Sequence, residues 1–591
     1  MQSGPHPAIL GFAIPSAITS NTRHGIRRSP DCPFRARLQI CPNGRTIMRA
    51  SNSASTNGSR RMIRMENARR VVQVLAFAAF LYLFVMTVGK YDPALRRIAL
   101  TSRAPIDTFF RMDPLLGLTT MVSVRQVIHV MLVYALPVVL LTVIAGRFFC
   151  GWICPLGTAL DATDTLFFRK RRPRPPDTRQ VRIKYCILIG VLAAAVFSVQ
   201  LAYFFDPIVI ITRALTFVVF PIVQLASRSL ADQGVNLPLL ADSAFLPRDV
   251  QYLFRLNFFA SIVLVGILAA NAVSRRYWCR NLCPLGALLA ILSRFSIVRR
   301  VVESNCTKCA RCVPDCKMGA IMEDPFDYHA PECVYCYACT DVCPVMSTKI
   351  VPTLGKQGYH AELDLNRRRV FGAIGVGALA AVLAKTNAAA KTDRTGKHKI
   401  SSETLIRPPG ALPEDEFVDR CVRCSECMKV CPTGGLQPAI TEAGIEGLWT
   451  PVLVPRIGEC TQMCNLCSQV CSSQAIQPFE IAEKTHLYIG RAVIDRSQCI
   501  AWNSDKQCLV CDEACSYDAV LWKNVEGTRR PFVNEHKCVG CGICENVCPI
   551  QPVAAIRVFS LGDQRHRSRA DQKYFFEQAK DEDQNKPANA P

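Results

Sequence analysis

Cysteines in fixed runs are the residues of this chain that could do chemistry. The chain has 591 residues and 31 cysteines. Two consecutive runs with the spacing C-x2-C-x2-C-x3-C consist of Cys306, Cys309, Cys312 and Cys316, then Cys333, Cys336, Cys339 and Cys343. Three thiolates on one tight loop reach three irons of a four-iron cube, and the fourth ligates the neighbouring cube. Zinc sites instead combine two short cysteine pairs, so the spacing favours [4Fe–4S] clusters.

In two-cluster ferredoxins the fourth cysteine of each run ligates the cluster of the other run, and this predicts the ligands of two clusters on these two consecutive runs. One cluster would be held by Cys306, Cys309, Cys312 and Cys343, and the other by Cys333, Cys336, Cys339 and Cys316. Residues 301–350 are therefore expected to form an α+β domain like the bacterial 2[4Fe–4S] ferredoxins.

Four further runs occupy the C-terminal part of the chain. They are Cys421, Cys424, Cys427, Cys431; Cys460, Cys464, Cys467, Cys471; Cys499, Cys508, Cys511, Cys515; and Cys538, Cys541, Cys544, Cys548. The second and third runs only lengthen the first gap, which widens a loop without removing a ligand. Four more [4Fe–4S] clusters are predicted, which makes six in the chain. We expect the first of these runs to exchange its fourth cysteine with the fourth run, and the second with the third.

Four other cysteines stand in two C-x3-C-P-L-G runs, at Cys150 and Cys154 and at Cys279 and Cys283. Pairs at this spacing fit no standard cluster. One interpretation is a redox-active thiol pair or a metal contact. The other is the structural packing of a helix end, and the sequence leaves both open.

Long apolar segments must position these cysteines. A helix that spans a bilayer needs about 20 apolar residues, and the segments that qualify are 71–89, 127–145, 185–205 and 257–273. Segment 208–226 is also apolar, but Arg213 and Pro221 interrupt it, so we expect it to be re-entrant or interfacial. Residues 66–300 are therefore expected to form an α-helical membrane domain with four spans.

The four segments form an internal repeat of two halves. Each half reads span, Asp-Pro corner, span and C-x3-C-P run, with the corners at Asp113-Pro114 and Asp206-Pro207. Segment 169–184 holds eight Lys or Arg residues against one acid, Asp177. Basic residues concentrate on the cytoplasmic side of membrane proteins. Both C-x3-C-P runs are therefore predicted to face the cytoplasm, and both Asp-Pro corners to face outward.

Two segments resemble targeting sequences. Arg368-Arg369-x-Phe371 precedes the apolar run 370–384 and resembles a twin-arginine export signal, here internal. The alternative is a short hydrophobic helix with basic flanks. Residues 1–64 contain ten arginines, no lysine and one acid, which resembles an organellar transit peptide. The alternative, which we favour, is an over-long start.

The predicted order of domains places the membrane part first. Along the whole chain we expect, in order, an N-terminal extension or mis-assigned start (1–65), the four-span membrane domain (66–300), the 2[4Fe–4S] domain (301–350), an export signal or fifth span (366–385), a linker (386–410), an α+β 4[4Fe–4S] domain (411–560) and a polar tail (561–591). The net charge of +23 does not indicate nucleic-acid binding, because the basic residues flank apolar segments. A disulfide scaffold is excluded by the length of the chain, and the absence of a Gly-rich phosphate loop or an H-E-x-x-H motif speaks against nucleotide or hydrolytic chemistry. So many clusters in one chain indicate an electron carrier.

Two known families share these patterns. Segment 71–343 resembles the membrane quinol dehydrogenase components of periplasmic nitrate reductase and methylamine utilisation systems (NapH/MauN-like). Segment 366–560 resembles their ferredoxin-type partners (NapG/MauM-like), on the run Arg407-Pro408-Pro409-Gly410-Ala411-Leu412-Pro413 and on the stretch from Cys499 to Cys515. The resemblance implies a fusion of both partners in a bacterial inner membrane. It implies electron transfer between the membrane quinone/quinol pool and a periplasmic redox enzyme or cytochrome, with a nitrate reductase-like or amine dehydrogenase-like enzyme as the partner.

The resemblance also gives roles to residues outside the ferredoxin runs. His129, Asp113 and Asp206 could accept protons from quinol, although Asp before Pro is equally a helix start and an intramembrane His can simply hydrogen-bond a neighbour. Cys150, Cys154, Cys279 and Cys283 would lie near the route of quinol oxidation. Two other functions stay open. One is a membrane assembly factor that reduces metal for oxidase or reductase maturation, and the other is a ferredoxin–quinone module that faces the cytoplasm.

Overall fold

Apolar helices make up the first part of the described chain. The computed structural model describes residues 65–92, 97–100, 107–167, 178–233, 254–322, 324–353, 365–385, 391–392, 399–400, 403–504 and 506–567. The first helices are α1 (Met65–Met86), α2 (Asp107–Arg111), α3 (Pro114–Val124), α4 (His129–Ala145), α5 (Phe148–Trp152), α6 (Pro155–Phe167), α7 (Thr178–Val181), α8 (Ile183–Val196), α9 (Pro207–Ala214), α10 (Phe220–Asp232), α11 (Asn257–Ala269), α12 (Tyr277–Asn281) and α13 (Pro284–Ser293). A hairpin of β1 (Gly89–Asp92) and β2 (Arg97–Leu100) follows α1. We call α1 to α13 the helical half. The expected N-terminal extension up to residue 64 lies outside the described residues.

Two Asp-Pro corners start equivalent helices in the two halves of the repeat. The Oδ1 atom of Asp113 accepts hydrogen bonds from the second and third N–H groups that follow it, at 2.8 and 3.3 Å. Asp206 caps α9 in the same way, at 2.9 and 3.0 Å. Proline follows each aspartate at the first helical position. An N–H group there has no acceptor within the helix, so proline, which has no N–H, costs no hydrogen bond. Both aspartates therefore act as helix caps.

Two helical stretches are long and apolar enough to cross a membrane, judged by length and composition alone: Met65–Met86 and Pro207–Ala226. The predicted spans 127–145, 185–205 and 257–273 contain shorter helices of 17, 14 and 13 residues. The sequence predicts that segment 208–226 is re-entrant or interfacial, and its position relative to a membrane stays a prediction. The backbone stays helical from Pro207 to Asp232, because a π-helical stretch, Leu215–Val219, joins α9 to α10 just before the proline.

The middle ferredoxin runs lie between two paired strands. β3 (Val298–Val302) pairs antiparallel with β4 (Thr348–Pro352), so the chain before the first run meets the chain after the second. Two short helices, α14 (Cys312–Asp315) and α15 (Ala338–Asp341), carry ligand cysteines. We call residues 298–352 the middle domain.

The segment with the paired arginines forms helix α16 (Arg367–Lys385), which packs along α8. The closest approach is at two glycines, since a Cβ atom on Gly377 would lie 2.2 Å from the carbonyl oxygen of Gly190. Ala194 and Ala381 are buried in the same contact. Small residues let helix backbones approach in this way. The segment is therefore joined to the helical half by close packing.

Short helices and strand pairs build the rest of the chain. The helices are α17 (Glu414–Arg420), α18 (Glu426–Lys429), α19 (Leu466–Gln469), α20 (Ile500–Asn503), α21 (Val510–Glu513) and α22 (Ile543–Val547). The strands are β5 (Lys391–Thr392), β6 (Lys399–Ile400), β7 (Leu436–Pro438), β8 (Pro451–Leu453), β9 (Arg491–Ile494), β10 (Val520–Val525), β11 (Thr528–Val533) and β12 (Ile556–Phe559). The antiparallel pairs are β5 with β6, β7 with β8, β9 with β12 and β10 with β11.

The C-terminal domain is longer at both ends than the sequence predicts. Leu405 is fully buried, so residues 403–410 belong to the packed domain and not to a linker. Arg565 donates a hydrogen bond to Glu414 at 2.7 Å, which fastens the start of the predicted polar tail. Apolar burial and a buried ion pair both require a folded neighbour, and linkers lack one. We call residues 403–567 the C-terminal domain.

Alanine at Gly377 and alanine at Gly375 should change stability in opposite directions. Gly377→Ala forces a methyl group into α8 and should lower the thermal midpoint. A Cβ atom on Gly375 meets nothing within 4 Å, so Gly375→Ala should stabilise α16 by up to about 1 kcal/mol. Thermal unfolding of the detergent-solubilised full chain, followed by circular dichroism, compares the two. Equal midpoints would contradict the contact between α8 and α16.

Candidate iron–sulfur centres

Three cavities in the C-terminal domain are each lined by four cysteines. Quartet C consists of Cys421, Cys424, Cys427 and Cys471; quartet D of Cys460, Cys464, Cys467 and Cys431; and quartet F of Cys499, Cys508, Cys511 and Cys548. In each quartet three cysteines come from one run and the fourth from another. This is the ligand exchange of two-cluster ferredoxins, so the residues fit [4Fe–4S] clusters.

A fourth group in this domain, quartet E, gathers Cys538, Cys541, Cys544 and Cys515. Cys515 is an electrostatic neighbour of each of the other three. Its sulfur also accepts a hydrogen bond from the N–H of Ala519 at 3.3 Å. Quartet E therefore repeats the pattern of three cysteines plus one from the preceding run.

The pairing of runs differs from the expectation drawn from the sequence. The first run exchanges cysteines with the second and the third with the fourth, so the expected pairing of first with fourth is wrong. Backbone pairing gives the reason. The N–H of Leu412 donates to the carbonyl of Ala475 at 3.1 Å, which joins the chain before the first run to the chain after the second. β9 and β12 enclose the third and fourth runs in the same way.

The four C-terminal quartets follow one another in the order C, D, E, F. The neighbouring cysteines are Cys427 with Cys467, Cys460 with Cys541, and Cys544 with Cys511. The contact between D and E includes a backbone hydrogen bond of 2.8 Å from Cys460 to Cys541. Tyr517, which sequence reasoning missed, has cysteines of both D and E beside it. The quartets thus form one uninterrupted series.

The middle domain brings two further groups together. Cys316 is an electrostatic neighbour of Cys333 and Cys339, and we call Cys316, Cys333, Cys336 and Cys339 quartet B. Cys312 has Cys306 and Cys309 beside it. The sulfur of Cys343 lies 3.3 Å from the hydroxyl of Ser347. Its place as the fourth ligand of that group, quartet A, stays a prediction.

Burial makes these thiols weak acids until iron binds. Burial and neighbouring thiols raise the pKa of Cys427 well above its usual range, and burial raises the pKa of Cys541 to about 12. Iron must displace these protons, because the thiolate is the ligand. Within the described ranges, no three His, Cys, Asp or Glu side chains are grouped closely enough to hold a single metal ion.

Buried cations fasten the C-terminal domain to the helical half. Arg213 of α9 donates to the carbonyls of Tyr203 and Arg423, each at 3.2 Å. The guanidinium of Arg213 lies 4.1 Å from the ring centre of Trp449, and that of Arg423 lies 4.1 Å from the ring centre of Tyr203. Arg423 also donates to the carbonyl of Cys421 at 3.1 Å. Quartet C therefore faces α9.

A carboxylate of the middle domain enters the helical half. Glu332 accepts a hydrogen bond from Arg147 at 3.0 Å and another from Lys184. Burial alone would raise the pKa of Glu332, but Lys184 and Arg147 outweigh it and hold the pKa at about 2. Trp152 adds a hydrogen bond of 3.1 Å from its Nε1 atom to the carbonyl of Tyr335.

Three helices reach both ferredoxin domains with opposite ends. One end of α1, α4 and α8 contacts the middle domain. There Arg69 of α1 is linked through Asp161 to Lys317, Gly146 after α4 contacts Tyr335, and Lys184 of α8 contacts Glu332. The other end contacts the C-terminal domain, where Phe84 of α1 meets Lys429, Gln126 before α4 meets Arg420, and Gln200 after α8 meets Arg423. The middle and C-terminal domains therefore sit at opposite ends of these helices.

The aspartates of the two Asp-Pro corners meet inside the helical half. The carboxyl groups of Asp113 and Asp206 are fully buried and lie within hydrogen-bonding reach of each other. Two carboxyl groups can hydrogen-bond to each other only when one carries a proton. His129 is exposed at the first residue of α4, so the structure does not bring it into this buried pair.

The two C-x3-C-P runs also meet. Cys283 has all three other cysteines of these runs as electrostatic neighbours, and the four are buried. Each run follows an arginine by three residues, Arg147 in the first half and Arg276 in the second, and both arginines are fully buried. Sequence reasoning missed these arginines. The signal was available, because the pattern R-x2-C-x3-C-P occurs in both halves.

Single serine variants should reveal which cysteines share a cluster. Cys471→Ser should shift or remove the same EPR signal of the reduced protein as Cys424→Ser, because both belong to quartet C. Cys431→Ser should act on the signal that Cys464→Ser affects. If Cys471→Ser instead matched Cys511→Ser, the runs would pair second with third, as the sequence alone suggests.

Comparison with known protein families supports iron–sulfur binding in both parts of the chain. A family model described as a 4Fe-4S binding domain matches residues 127–175 and 256–302, and a second model of that description matches residues 531–553. The first model matches twice, once around each C-x3-C-P run, which supports the internal repeat.

Named relatives match between a quarter and a third of the chain. The chain is 34% identical over 173 residues to the ferredoxin-type protein NapG of Escherichia coli, across 27% of this chain and 73% of that protein. It is 35% identical over 162 residues to the methylamine utilization ferredoxin-type protein MauM of Methylorubrum extorquens, across 26% of this chain and 71% of that protein. The ferredoxin-type protein NapF of Escherichia coli matches at 29% identity over 96% of its length and 29% of this chain. No solved structure matches significantly. The chain therefore belongs to the family of ferredoxin-type electron-transfer proteins that includes NapG and MauM.

Proposed function

We propose that this chain is a membrane-anchored polyferredoxin that transfers electrons between the quinone/quinol pool and a periplasmic redox enzyme through six [4Fe–4S] clusters. The observation that carries the proposal is the position of the two ferredoxin domains at opposite ends of α1, α4 and α8. Helices that separate two cluster-bearing domains suit a protein that serves both sides of a bilayer. In this proposal a NapH/MauN-like membrane part is fused to the NapG/MauM-like domain.

Outward-facing apolar side chains support a membrane location. Large side chains that are more than half exposed include Leu75 on α1, Val133 on α4, Phe258 on α11 and Phe371 on α16. Soluble proteins rarely expose extended apolar surface. Lipid would cover these side chains. The shorter helices of the repeat would cross the bilayer together with the helices that start at the Asp-Pro corners (α3 and α9) and at the Cys-Pro pairs (α6 and α13).

The order of quartets supports a direction along the C-terminal domain. Quartet C faces the helical half, and quartet F is the last of the series. The cavity of quartet F is lined by Val510, which is 37% exposed. Quartet F is therefore the position from which a periplasmic enzyme or cytochrome would exchange electrons. Nitrate reductase-like and amine dehydrogenase-like enzymes are the proposed partners.

Reporter fusions test the two-sided arrangement. A compartment-sensitive reporter after residue 350 should be cytoplasmic, and one after residue 591 should be periplasmic. Replacement of both Arg368 and Arg369 by lysine should trap the second reporter in the cytoplasm if the pair acts as an export signal. Arg367→Lys, one residue earlier, is the matched control and should leave the periplasmic location unchanged. Both reporters in the cytoplasm would favour a cytoplasm-facing ferredoxin–quinone module.

Asparagine at the buried aspartates separates capping from proton transfer. Asp206→Asn keeps an N-cap of similar strength, so the thermal midpoint should stay unchanged. Quinol-driven reduction of the clusters in proteoliposomes should slow by roughly 10²-fold or more, because asparagine cannot accept a proton. Asp113→Asn should behave alike, since the two carboxyl groups act as a pair.

Two controls make that comparison decisive. Reduction by dithionite bypasses quinol and should proceed at the same rate in both variants. His129→Gln alters an exposed residue outside the pair and should leave quinol-driven reduction unchanged. Unchanged quinol oxidation in Asp206→Asn would mean that both aspartates act only as helix caps. Reduction of the clusters that needs no quinone at all would favour the assembly-factor alternative.

A further inference from the structure

We propose that Lys484 raises the reduction potential of the cluster of quartet D above the potentials of the clusters of quartets E and F. An electron delivered to quartet F would then pass inward through E to D. This inference deepens the proposed function by giving a direction to electron transfer in the C-terminal domain. It rests on that function for the source of the electron and not for the effect of Lys484 on the cluster.

A short helix places Lys484 against quartet D. The 3₁₀ helix Ile481–His486 follows the second cysteine run of the C-terminal domain. Its start is fixed by Glu480 and Glu483, since the side chain of each accepts a hydrogen bond from the backbone N–H of the other. Lys484 is only 3% exposed, and it lines the cavity of quartet D. Its ammonium group is therefore held beside the cysteines and away from water.

The ammonium group of Lys484 contacts the loop that carries three ligands of quartet D. It donates hydrogen bonds to the carbonyls of Thr461 and Cys464, at 2.5 and 2.6 Å. Its strongest electrostatic neighbours are the thiols of Cys460, Cys464 and Cys467. A buried cation requires an anion beside it. The cluster on these thiols would supply that negative charge.

A buried positive charge favours the reduced form of a neighbouring cluster. Reduction adds one negative charge to the cluster, so a fixed cation beside it raises the reduction potential. The carboxylate of Glu459 lines the same cavity and opposes this effect. Glu459 is partly exposed, so water screens its charge, whereas the charge of Lys484 is buried and is screened much less. The two charges together therefore favour reduction of quartet D.

Quartet F has a different environment. Among the described residues, no charged side chain lines its cavity, and apolar side chains such as Ile494 and Val510 surround the four cysteines. Arg456 donates to the carbonyl of Cys548 at 2.9 Å, but it does not line this cavity, and the carboxyl group of Glu545 lies beside it. The reduced form of quartet F therefore gains less stabilisation from cations than that of quartet D.

The cation beside quartet E already has a carboxylate partner. Arg491 is an electrostatic neighbour of Cys538, and its guanidinium forms an ion pair of 2.6 Å with Glu535. The carboxylate offsets most of the positive charge that the cluster would experience. Lys484 differs from Arg491 because its strongest neighbours are the thiols themselves.

This order of potentials makes the step from E to D favourable. The reduced cluster of quartet E loses one electron and is oxidised, and the cluster of quartet D gains that electron and is reduced. No bond forms or breaks. The two quartets are direct neighbours, as the backbone hydrogen bond from Cys460 to Cys541 shows. A periplasmic enzyme that donates electrons therefore suits quartet F better than one that accepts them.

Redox titration of the anaerobically purified full-length protein, followed by EPR, tests the proposal. The signals of D, E and F are those changed by Cys464→Ser, Cys541→Ser and Cys511→Ser. The signal of D should appear at a higher potential than the other two. In Lys484→Met the equilibrium constant for reduction of D should fall by about tenfold or more, which corresponds to a shift of about 59 mV, while E and F keep their midpoints.

Two further variants separate charge from packing. Lys484→Arg keeps the positive charge and should restore most of the midpoint of quartet D. Lys523→Met removes an exposed ammonium group from the same domain and should leave every midpoint unchanged. An unchanged midpoint of D in Lys484→Met, or an equal decrease in Lys484→Arg, would overturn the proposal. If Lys484→Met loses its iron, the unaltered protein decides, and a midpoint of D below that of E or F would overturn it.

The titration separates this inference from the proposed function. It uses dithionite and soluble mediators, so it requires neither quinol nor a membrane. A lower midpoint of D in Lys484→Met, together with a failure of quinol to reduce any cluster, would keep the role of Lys484 and reject the proposed function. Quinol-driven reduction together with an unchanged midpoint would reject the role of Lys484 alone.

Discussion

Buried cations at both ends of the helical half hold the ferredoxin domains in place. A guanidinium loses its hydration when it is buried, and partners within the protein must make up for that loss. Arg213 and Arg423 find carbonyls and aromatic faces at one end, whereas Arg147 finds Glu332 at the other. Such contacts tolerate little displacement, because an unpaired buried charge costs several kcal/mol. These contacts therefore orient each ferredoxin domain relative to the helical half.

The clusters are also structural elements of the C-terminal domain. Its helices and strands are short, between three and seven residues for those that flank the quartets. Elements of this length are not stable in isolation. The loops surround the four cysteine quartets, so iron bound there would contribute to folding as well as to electron transfer. The clusters that would carry electrons would also be the groups around which the domain packs, so consecutive quartets lie next to one another.

Local spacing indicates which cysteines lie together. Each C-terminal run places three cysteines on one stretch of chain, and the structure brings a fourth cysteine from another run beside them. Sequence reasoning failed on the pairing of the C-terminal runs, since that depends on backbone contacts such as Leu412 with Ala475, which the spacing does not encode. Sequence reasoning gave Arg147 and Arg276 no role at the cysteine runs, because many basic residues lie near the apolar segments, although each arginine precedes its first cysteine by three residues. The continuous helix across Pro221 could not be predicted from the sequence, because hydropathy does not indicate a π-helical stretch.

Duplication explains why the chemical groups of the helical half occur in pairs. When two copies of one unit pack face to face, residues near the contact meet their own equivalents. Asp113 meets Asp206, the first C-x3-C-P run meets the second, and the arginine of each half reaches the run of the other. One half alone supplies a single buried carboxyl group and two buried thiols at this contact. Packing of the two halves brings the carboxyl groups of Asp113 and Asp206 together and gathers the four thiols of the two runs, so the groups meet only because the unit is duplicated.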